Sequence, residues 1–429
     1  MSNYNRVRGT VDLYGLDMLL FKQLEQTLFK ISNQYHFKMI QTPIFEEAKL
    51  FQRTAGDSSD LVSKEMYLFK DKGDRLLALR PEGTAGVIRA VVEEKMLNNN
   101  PYPLKLMYFS SCFRYERPQS GRQRQFHQFG VELLNANSIY DDFEVISLAD
   151  QILKQLKIVD YNLEINYIST PKQRLAWINA LKTYFYQYYD QLTLVSQQRL
   201  ETNVLRILDD KEEAHKDFVK NAPKISAFIS QDEQQEFDQL LKLLDQANIK
   251  YQINYNLVRG LDYYEGVVFE FVSTANVLVG QSTLIGGGRY GSLVSELNGP
   301  NVQGVGFGLG VERILIMLKY YLDQEQTNQL FKKDAPVYLV GCLDANLLTN
   351  LNQLVHHLRA NSKLVIESNY NSYKIDKLLK QGERINAQYL LLLAPTEFAN
   401  NQIIVRNLVT KTQQCVDYHQ FIKENIDNE

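Results

Sequence analysis

The residues of this sequence most suited to chemistry lie in FRYERPQSGRQRQFHQFGVE, residues 113–132. The stretch holds four arginines with one acid, Glu116, among them: Arg114, Arg117, Arg122 and Arg124. A guanidinium group can bind phosphate oxygens through two parallel hydrogen bonds. The cluster could therefore hold a triphosphate or a nucleic-acid backbone, but a charge run is also typical of a solvated hairpin tip. These residues alone support both interpretations equally.

The neighbouring sequence predicts the elements that would position this cluster. Apolar runs lie on both sides, LKLMYFSSCF before it and QFGVELL after it, and a polar turn lies at 118–121. This pattern is typical of two antiparallel strands joined by a loop. The arginines would then lie at the mouth of a hairpin.

Two further groups of polar residues lie at predicted element junctions. Glu82 and Thr84 follow a predicted strand and begin a helix, where they could form a site or simply act as first-turn acid and N-cap. Arg259 interrupts the β-type run KYQINYNLVRGLDYYEGVVFEF. If buried, it needs a partner such as Asp262; alternatively, it points into a cleft.

Glycines mark two more segments. GGGRYG, residues 286–291, matches the GxGxxG pattern between a strand and a helix. Because the next helix is short and no acid follows at the usual distance, close backbone approach is the better interpretation than dinucleotide binding. In GVGFGLGVER, residues 304–313, alternate glycines would clear one face of a strand for a flat ligand such as a base, with Arg313 beside it.

Composition restricts the class of protein. The 429 residues are 45% hydrophobic and 23% charged with a net charge of -3, so any nucleic-acid contact must come from a local basic patch. The three cysteines and six histidines show no metal-ligand or disulfide spacing. No apolar run is long enough to cross a bilayer and no leader precedes the first helix, which favours a cytoplasmic protein without membrane contact.

The chain divides by its patterns into two parts. Leu20, Leu24, Leu28 and Ile31 predict an amphipathic first helix, and the segment at about 171–250 predicts a helical insertion with Trp177 in its core. After a polar linker, alternating strands and helices from Pro336 predict a compact α/β domain on a largely parallel sheet.

Taken in order, these motifs resemble the histidyl-tRNA synthetases, a family of class II aminoacyl-tRNA synthetases. The region around Pro43, residues 113–132 and GLGVERI at 308–314 are similar to class II motifs 1, 2 and 3. LVRGLDYY at 257–264 and the GGGRY run resemble the two signatures of the histidine enzymes, and TNVLRILDD resembles a run in their insertion.

The resemblance implies an α+β fold, with an antiparallel sheet flanked by helices in a catalytic domain at 1–325 that carries the insertion. It also implies an anticodon-binding α/β domain at 335–429. The expected enzyme is a homodimeric histidine–tRNA ligase that uses ATP as substrate. Its partners would be histidine, histidine tRNA, and Mg²⁺ held mainly through ATP phosphates, without dedicated side-chain ligands.

The resemblance also implies a role for each site residue. Arg114 would bind the α-phosphate, Arg122 and Arg313 the β- and γ-phosphates, and Glu116 and Phe126 the adenine. The histidine α-amino group would contact Glu82, Thr84 and Gln128, and the imidazole would contact Glu132, Tyr263, Tyr264 and Tyr290. Arg259 would be catalytic together with Arg114, between the histidine carboxylate and the α-phosphate. Arg117, Gln119 and Arg124 would meet the acceptor end of the tRNA.

Four positions depart from the family pattern. Gly15 replaces a proline, His36 a glycine, Gln123 a tyrosine and Gly291 an aspartate. Two other functions are alternatives: a non-catalytic regulatory subunit of ATP phosphoribosyltransferase, which binds histidine on the same fold, and a nicotinamide-dependent oxidoreductase. The complete LVRGLDYY run and the domain after Pro336 argue against the first, and only GGGRYG supports the second.

Overall fold

The computed structural model describes residues 4–55, 61–98, 103–208, 210, 212–258, 263–278, 282–323 and 336–425. They form two compact units, Met1–Phe331 and Lys332–Glu429. Arg259 and Asp262 lie outside the described residues. No helix within the described ranges is long and apolar enough to span a membrane.

The first unit is built from these strands and helices. Its strands are β1 (Lys38–Met39), β2 (Phe45–Glu47), β3 (Leu68–Lys70), β4 (Leu76–Leu79), β5 (Leu104–Phe113), β6 (Gln125–Leu134), β7 (Tyr161–Tyr167), β8 (Tyr251–Ile253), β9 (Tyr264–Ser273), β10 (Thr283–Tyr290) and β11 (Gly304–Gly310). Its helices are α1 (Leu16–Gln34), α2 (Ala48–Ala55), α3 (Thr84–Glu93), α4 (Ile139–Gln155), α5 (Pro171–Tyr186), α6 (Leu194–Thr202), α7 (Leu205–Leu208), α8 (Asp217–Lys220), α9 (Gln231–Gln246), α10 (Leu293–Glu296) and α11 (Val311–Asp323).

The large sheet of this unit has the strand order β1-β5-β6-β11-β10-β9-β7-β8. Its five central pairings are antiparallel, and the outer pairs β1–β5 and β7–β8 are parallel. The predicted hairpin is β5–β6, paired from Leu104 opposite Leu134 to Phe113 opposite Gln125. An antiparallel sheet flanked by helices, as predicted, is confirmed. Strands β2, β4 and β3 form a separate small sheet.

Alternation along β6 divides the two faces of the sheet. Phe129, Val131 and Leu133 are fully buried in the main core, with apolar residues of α1, α4 and α11. Because successive strand residues point to opposite faces, Gln128 and Glu132 lie on the other face. The core helices therefore fix the sheet from one side and leave the opposite side for a site.

The glycine run 286–288 lies inside β10, which pairs antiparallel with both β9 and β11. A dinucleotide fingerprint requires a turn between a strand and a helix in a parallel unit, so that interpretation is wrong. A β-carbon on Gly287 would overlap the carbonyl oxygen of Gly306. Close approach of the two strands is the reason for glycine here.

The helical insertion has a core of its own over α5 to α8, whereas α9 packs into the main core through Phe237, Leu240 and Leu244. Trp177 is fully buried in the insertion's own core, as predicted, and its indole nitrogen donates to the carbonyl of Pro223 at 2.7 Å. Val258, immediately before the undescribed segment 259–262, packs in the same core.

The second unit contains β12 (Val337–Cys342), β13 (Val365–Ser368), β14 (Tyr389–Leu393), β15 (Gln402–Asn407) and β16 (Gln413–Asp417), with α12 (Leu348–Asn361), α13 (Ile375–Arg384), α14 (Pro395–Ala399) and α15 (Tyr418–Asn425). Its strand order is β13-β12-β14-β15-β16. The prediction of a largely parallel sheet is wrong for half of it, because β14–β15 and β15–β16 are antiparallel. The short turn between β15 and β16 permits only antiparallel pairing.

Candidate active site

One cleft on the open face of the large sheet collects the predicted ATP-binding residues. Its volume is about 160 Å³. It is lined by all five residues predicted to bind ATP, Arg114, Glu116, Arg122, Phe126 and Arg313, and by Gln128 from the predicted histidine set. We call it the arginine cleft. Arg114 and Arg122 of the charge run are therefore part of a concave site, whereas Arg117 is exposed on the hairpin loop.

Arg114 and Phe126 are fixed close together where the hairpin begins. Nε of Arg114 donates to the carbonyl oxygen of Pro81 at 2.9 Å, which holds the guanidinium group in place. The guanidinium carbon lies 5.2 Å from the centre of the Phe126 ring. The arginine cleft therefore offers a cation that could bind a nucleotide phosphate and, next to it, an aromatic ring that could bind the base.

Arg122 and Glu116, predicted to bind different ends of ATP, form an ion pair with each other. Glu116 is 9% exposed, and a second acid, Glu65, lies 3.5 Å from the Arg122 guanidinium group. Glu116 and Arg122 are thus each other's partner. A phosphate bound here would compete with Glu116 for the N–H donors of Arg122.

Arg313 joins the first turn of α11 to the hairpin loop, residues 114–124. Its Nε donates to the carbonyl of Gly121 at 3.1 Å, and another guanidinium nitrogen donates to the carbonyl of Thr283 at 2.5 Å. Gly121 has a φ of +70°, a conformation that favours glycine. Arg313 therefore holds the loop as well as facing the cleft.

The alternate glycines of β11 make room for side chains of the predicted histidine set. A β-carbon on Gly304 would overlap Tyr290, one on Gly306 would overlap Glu132, and one on Gly308 would overlap Gln128. The prediction that these glycines clear one face is confirmed. Three protein side chains lie against Gly304, Gly306 and Gly308, while Gly308 and Gly310 also line the arginine cleft, so that a flat ligand at that end of β11 stays a prediction.

Glu132 and three tyrosines form a buried group next to the arginine cleft. The Tyr290 hydroxyl donates to Oε2 of Glu132 at 2.7 Å. The ring of Tyr263 lies 4.6 Å from that of Tyr264 and 5.8 Å from that of Tyr290, centre to centre. We call Glu132, Tyr263, Tyr264 and Tyr290 the tyrosine cluster.

Burial determines the charges in the tyrosine cluster. Glu132 is 1% exposed, and burial raises its pKa to about 8, although hydrogen bonds from Thr84 and Tyr290 lower it. Burial also raises the pKa values of Tyr263 and Tyr290 well above that of free tyrosine. The cluster thus holds neutral hydroxyls around a carboxyl group that needs a partner before it becomes fully charged.

Glu82, Thr84 and Gln128 meet at the start of α3. The Glu82 carboxylate accepts from the backbone N–H of Thr84 at 2.6 Å and of Ala85 at 2.8 Å, and Oε1 of Gln128 accepts from the N–H of Gly83 at 3.0 Å. Burial raises the pKa of Glu82, and these backbone bonds lower it. Glu82 therefore caps the helix, and its carboxylate keeps further lone pairs for a ligand.

The residues predicted to meet nucleic acid lie on the hairpin loop. Arg117 and Gln119 are exposed. The Arg124 guanidinium carbon lies 4.1 Å from the ring centre of Tyr115, and the Arg124 N–H donates to the carbonyl of Gly9 at 2.8 Å. The N-terminal segment thus holds the end of the hairpin loop, just before β6 begins.

Two residues of the site were missed from the sequence. Glu312 lines the arginine cleft and accepts from both the backbone N–H and Nδ1 of His127 at 2.9 Å, which ties α11 to β6. Its place in GLGVERI beside Arg313 was the available signal. Tyr108 lies under Gly83 and Gly130, and only the alternation of LKLMYFSSCF could have placed it on this face.

Three of the four departures from the family pattern have a visible structural setting. His36 has a φ of 64°, where glycine is favoured, and Gly15 has a φ of 57°, which proline cannot adopt. A β-carbon on Gly291 would overlap the carboxylate of Glu265, so that acid occupies the space beside Gly291. The fourth, Gln123, lines the arginine cleft.

Within the part of the chain that the structure describes, no group of three or more His, Cys, Asp or Glu residues could hold a metal ion. Of the acids that line the arginine cleft, Glu116 is paired with Arg122 and Glu312 with His127.

Comparison with known proteins gives one consistent result. The sequence profile of the family described as Histidyl-tRNA synthetase matches residues 9–314. The histidine–tRNA ligase of Ureaplasma urealyticum is 54% identical over 99% of this chain and 99% of its own. That of Malacoplasma penetrans is 44% identical over 95% of each chain. The crystal structure of apo S. aureus histidyl-tRNA synthetase superposes with a TM-score of 0.82 at 31% identity, over 99% of this chain and 100% of the other.

Proposed function

The chain belongs to the histidyl-tRNA synthetase family, and on this premise we propose how its described residues divide the reaction between them. The protein is a histidine–tRNA ligase. It joins histidine to ATP as histidyl-adenylate with release of pyrophosphate, and then transfers the histidyl group to the terminal adenosine of histidine tRNA. The relatives that cover nearly the whole chain favour this function over a regulatory, non-catalytic one.

ATP occupies the arginine cleft in this proposal. Arg114 holds the α-phosphate, because its Nε is anchored on Pro81 while the rest of the guanidinium group faces the cleft. Arg313 and Arg122 hold the β- and γ-phosphates. When Arg122 turns to the phosphates, Glu116 is released to accept from the amino group of adenine, and Phe126 stacks on the base. Because Arg122 then binds the phosphates and Glu116 binds the adenine, this exchange of partners links the binding of the two ends of the nucleotide.

Mg²⁺ is bound mainly through the phosphates of ATP, where it offsets their negative charge. The acids that line the arginine cleft fit this role poorly as a cage, since Glu116 and Glu312 each have a protein partner. The positive charge built into the cleft is arginine, and it serves the same phosphates.

Histidine lies beside ATP, with its α-amino group near Glu82, Thr84 and Gln128 and its imidazole in the tyrosine cluster. Tyr290 orients Glu132 through its 2.7 Å hydrogen bond, so that the carboxyl group can accept from an imidazole nitrogen. A site built from such groups rejects an analogue without those nitrogens, because it would leave buried polar atoms unpaired.

The first step is attack of the histidine carboxylate on the α-phosphorus, and pyrophosphate leaves. Two anions approach each other in that step, so Arg114 lowers the barrier by preorganised positive charge. We propose the same role for Arg259, on its sequence motif. In the second step a ribose hydroxyl of the tRNA attacks the histidyl carbonyl, and AMP leaves. No covalent enzyme intermediate is needed, and burial raises the pKa of the Cys112 thiol to about 12, which keeps it unreactive.

The remaining proposals concern macromolecular partners. Arg117, Gln119 and Arg124 contact the acceptor end, residues 335–429 form the anticodon-binding domain, and residues 1–325 form the catalytic domain. We place the enzyme in the cytoplasm as a homodimer. The small sheet supports a dimer, because its neighbourhood exposes several large apolar side chains: Ile44, Phe45, Leu68, Phe69 and Leu76.

The observation that carries this proposal is that Arg114, Glu116, Arg122, Phe126, Arg313 and Gln128 line one cleft. Charging of histidine tRNA with labelled histidine tests it. Charging that requires ATP, histidine and this tRNA is expected, and folded protein that charges no tRNA would contradict the proposal.

A further inference from the structure

Tyr108 is a buried residue of the site face to which the family resemblance gave no role. It lies on β5 opposite Gly130 of β6, with a side chain only 1% exposed. A β-carbon on Gly83 or on Gly130 would overlap its ring. Two glycines on different elements thus leave the space that this one side chain fills.

The hydroxyl of Tyr108 is the unusual part of the residue. It is buried, and it makes no hydrogen bond of ordinary geometry to any residue in the described ranges. Burial, together with the charges of Glu132 and Glu82, raises its pKa well above the usual value, although a contact with Thr84 lowers it. The group is therefore a neutral phenol that can both donate and accept.

A buried hydroxyl without a partner costs stability, so it needs a reason to remain. Its neighbours suggest the reason. Glu82 and Glu132, which act on Tyr108 electrostatically, are the carboxyl groups at the two ends of the proposed histidine site. The Tyr290 hydroxyl donates to Glu132, whereas the Tyr108 hydroxyl has no hydrogen-bond partner among the described residues.

We propose that Tyr108 is a histidine-binding residue whose hydroxyl forms a hydrogen bond with the bound amino acid. This rests on the proposed function. The α-ammonium group carries three N–H donors, and Glu82, Thr84 and Gln128 lie around it in the proposed site. The Tyr108 oxygen, which interacts electrostatically with both Glu82 and Glu132, would serve one of these donors or an imidazole nitrogen, and the bond would satisfy the orphaned hydroxyl when histidine binds.

Tyr108→Phe tests the proposal, because it removes one oxygen atom and keeps the ring that fills the space beside the glycines. Histidine affinity of the full-length protein is measured by calorimetry, and histidine and ATP KM values by pyrophosphate exchange. The proposal predicts about a tenfold loss of histidine affinity and a similar rise in histidine KM, with the ATP KM unchanged. Thermal stability of the free protein should be equal or higher, since the orphaned hydroxyl is gone.

Tyr161→Phe is the matched control. Tyr161 lies on β7, away from the arginine cleft and the tyrosine cluster, and its hydroxyl donates to Asp150 of α4 at 2.8 Å, so histidine affinity should not change. Imidazolepropionate, which lacks the α-amino group, identifies the contact. If Tyr108 serves the ammonium group, Y108F loses affinity for histidine alone. If it serves the imidazole, Y108F loses affinity for both ligands.

Equal histidine affinity in wild type and Y108F would overturn the assignment of Tyr108 while the proposed function stands. Equal rises in the KM values of histidine and ATP would also overturn it, since a general distortion of the site would explain them. If wild-type protein bound no histidine at all, the proposed function itself would fail.

Discussion

Tyr290 donates a 2.7 Å hydrogen bond to Glu132, and both side chains lie against glycines of β11. A larger residue at either glycine would collide with one of these two side chains. Gly304 makes room for Tyr290, and Gly306 makes room for Glu132. The glycines of one strand thus hold open the pocket in which two other strands place an acid and its hydrogen-bond donor.

Glu132→Gln should remove a pH dependence of stability. Burial raises the folded-state pKa of Glu132 from 4.5 to about 8, so the folded protein keeps a proton that the unfolded chain releases between these values. The free energy of unfolding of the wild type should therefore fall relative to E132Q over this pH range, by at most about 1.4 kcal/mol per pH unit. Above pH 8 the difference should be constant. Urea unfolding of both proteins at several pH values measures it, and the opposite slope would contradict the account.

Arg313→Gln should raise the ATP KM in pyrophosphate exchange by about tenfold, the effect expected for one charged contact to phosphate. The histidine KM should change less. Lys319→Gln, on the same helix and paired with Asp17 at 2.6 Å, is the control and should leave both constants near wild type. An unchanged ATP KM in R313Q would remove Arg313 from the nucleotide site.

Arg117→Ala should lower kcat/KM for tRNA by about five- to tenfold in aminoacylation, because an exposed arginine on the hairpin loop contacts the acceptor end. Pyrophosphate exchange needs no tRNA and should not change. Arg75→Ala, an exposed arginine bound to Asp71, is the matched control. Loss of exchange in R117A would instead place the residue in the adenylation step.

His36→Gly should stabilise the protein by about 1 kcal/mol, because His36 directly follows the C-cap of α1, has a φ of 64° and is exposed. Asn248→Gly is the control. Asn248 occupies the equivalent position after α9 with a φ of 56°, and asparagine tolerates that conformation better than histidine. Thermal unfolding compares the two, and a larger gain at Asn248 would show that backbone strain at His36 is small.

Local patterns were sufficient for the elements and for the central hairpin. The spacing of Leu20, Leu24 and Leu28 predicted α1, and the two apolar runs around the arginines predicted β5 and β6. What the sequence could not supply was the pairing of distant strands. That pairing decides that Gly286–Gly288 lie within a sheet, and that β11 clears space for the side chains of Tyr290 and Glu132.

The candidate site likewise has features that the sequence predicted and features that it could not predict. The family resemblance predicted the five ATP-binding residues that line the arginine cleft, because each of them lies in a sequence motif of the family. It could not predict that Arg122 and Glu116 pair with each other, since that contact depends on how the hairpin loop folds back. Tyr108 was missed because its local sequence does not show that two glycines from other elements lie against its ring.

Histidine-dependent exchange of labelled pyrophosphate into ATP tests the central claim most directly, since it reports adenylation alone. The account predicts exchange that requires both histidine and ATP, and its loss by a large factor in Arg259→Ala and Arg114→Ala proteins that keep the wild-type fold and assembly. Correctly folded wild-type protein that binds ATP and histidine without any exchange would contradict it.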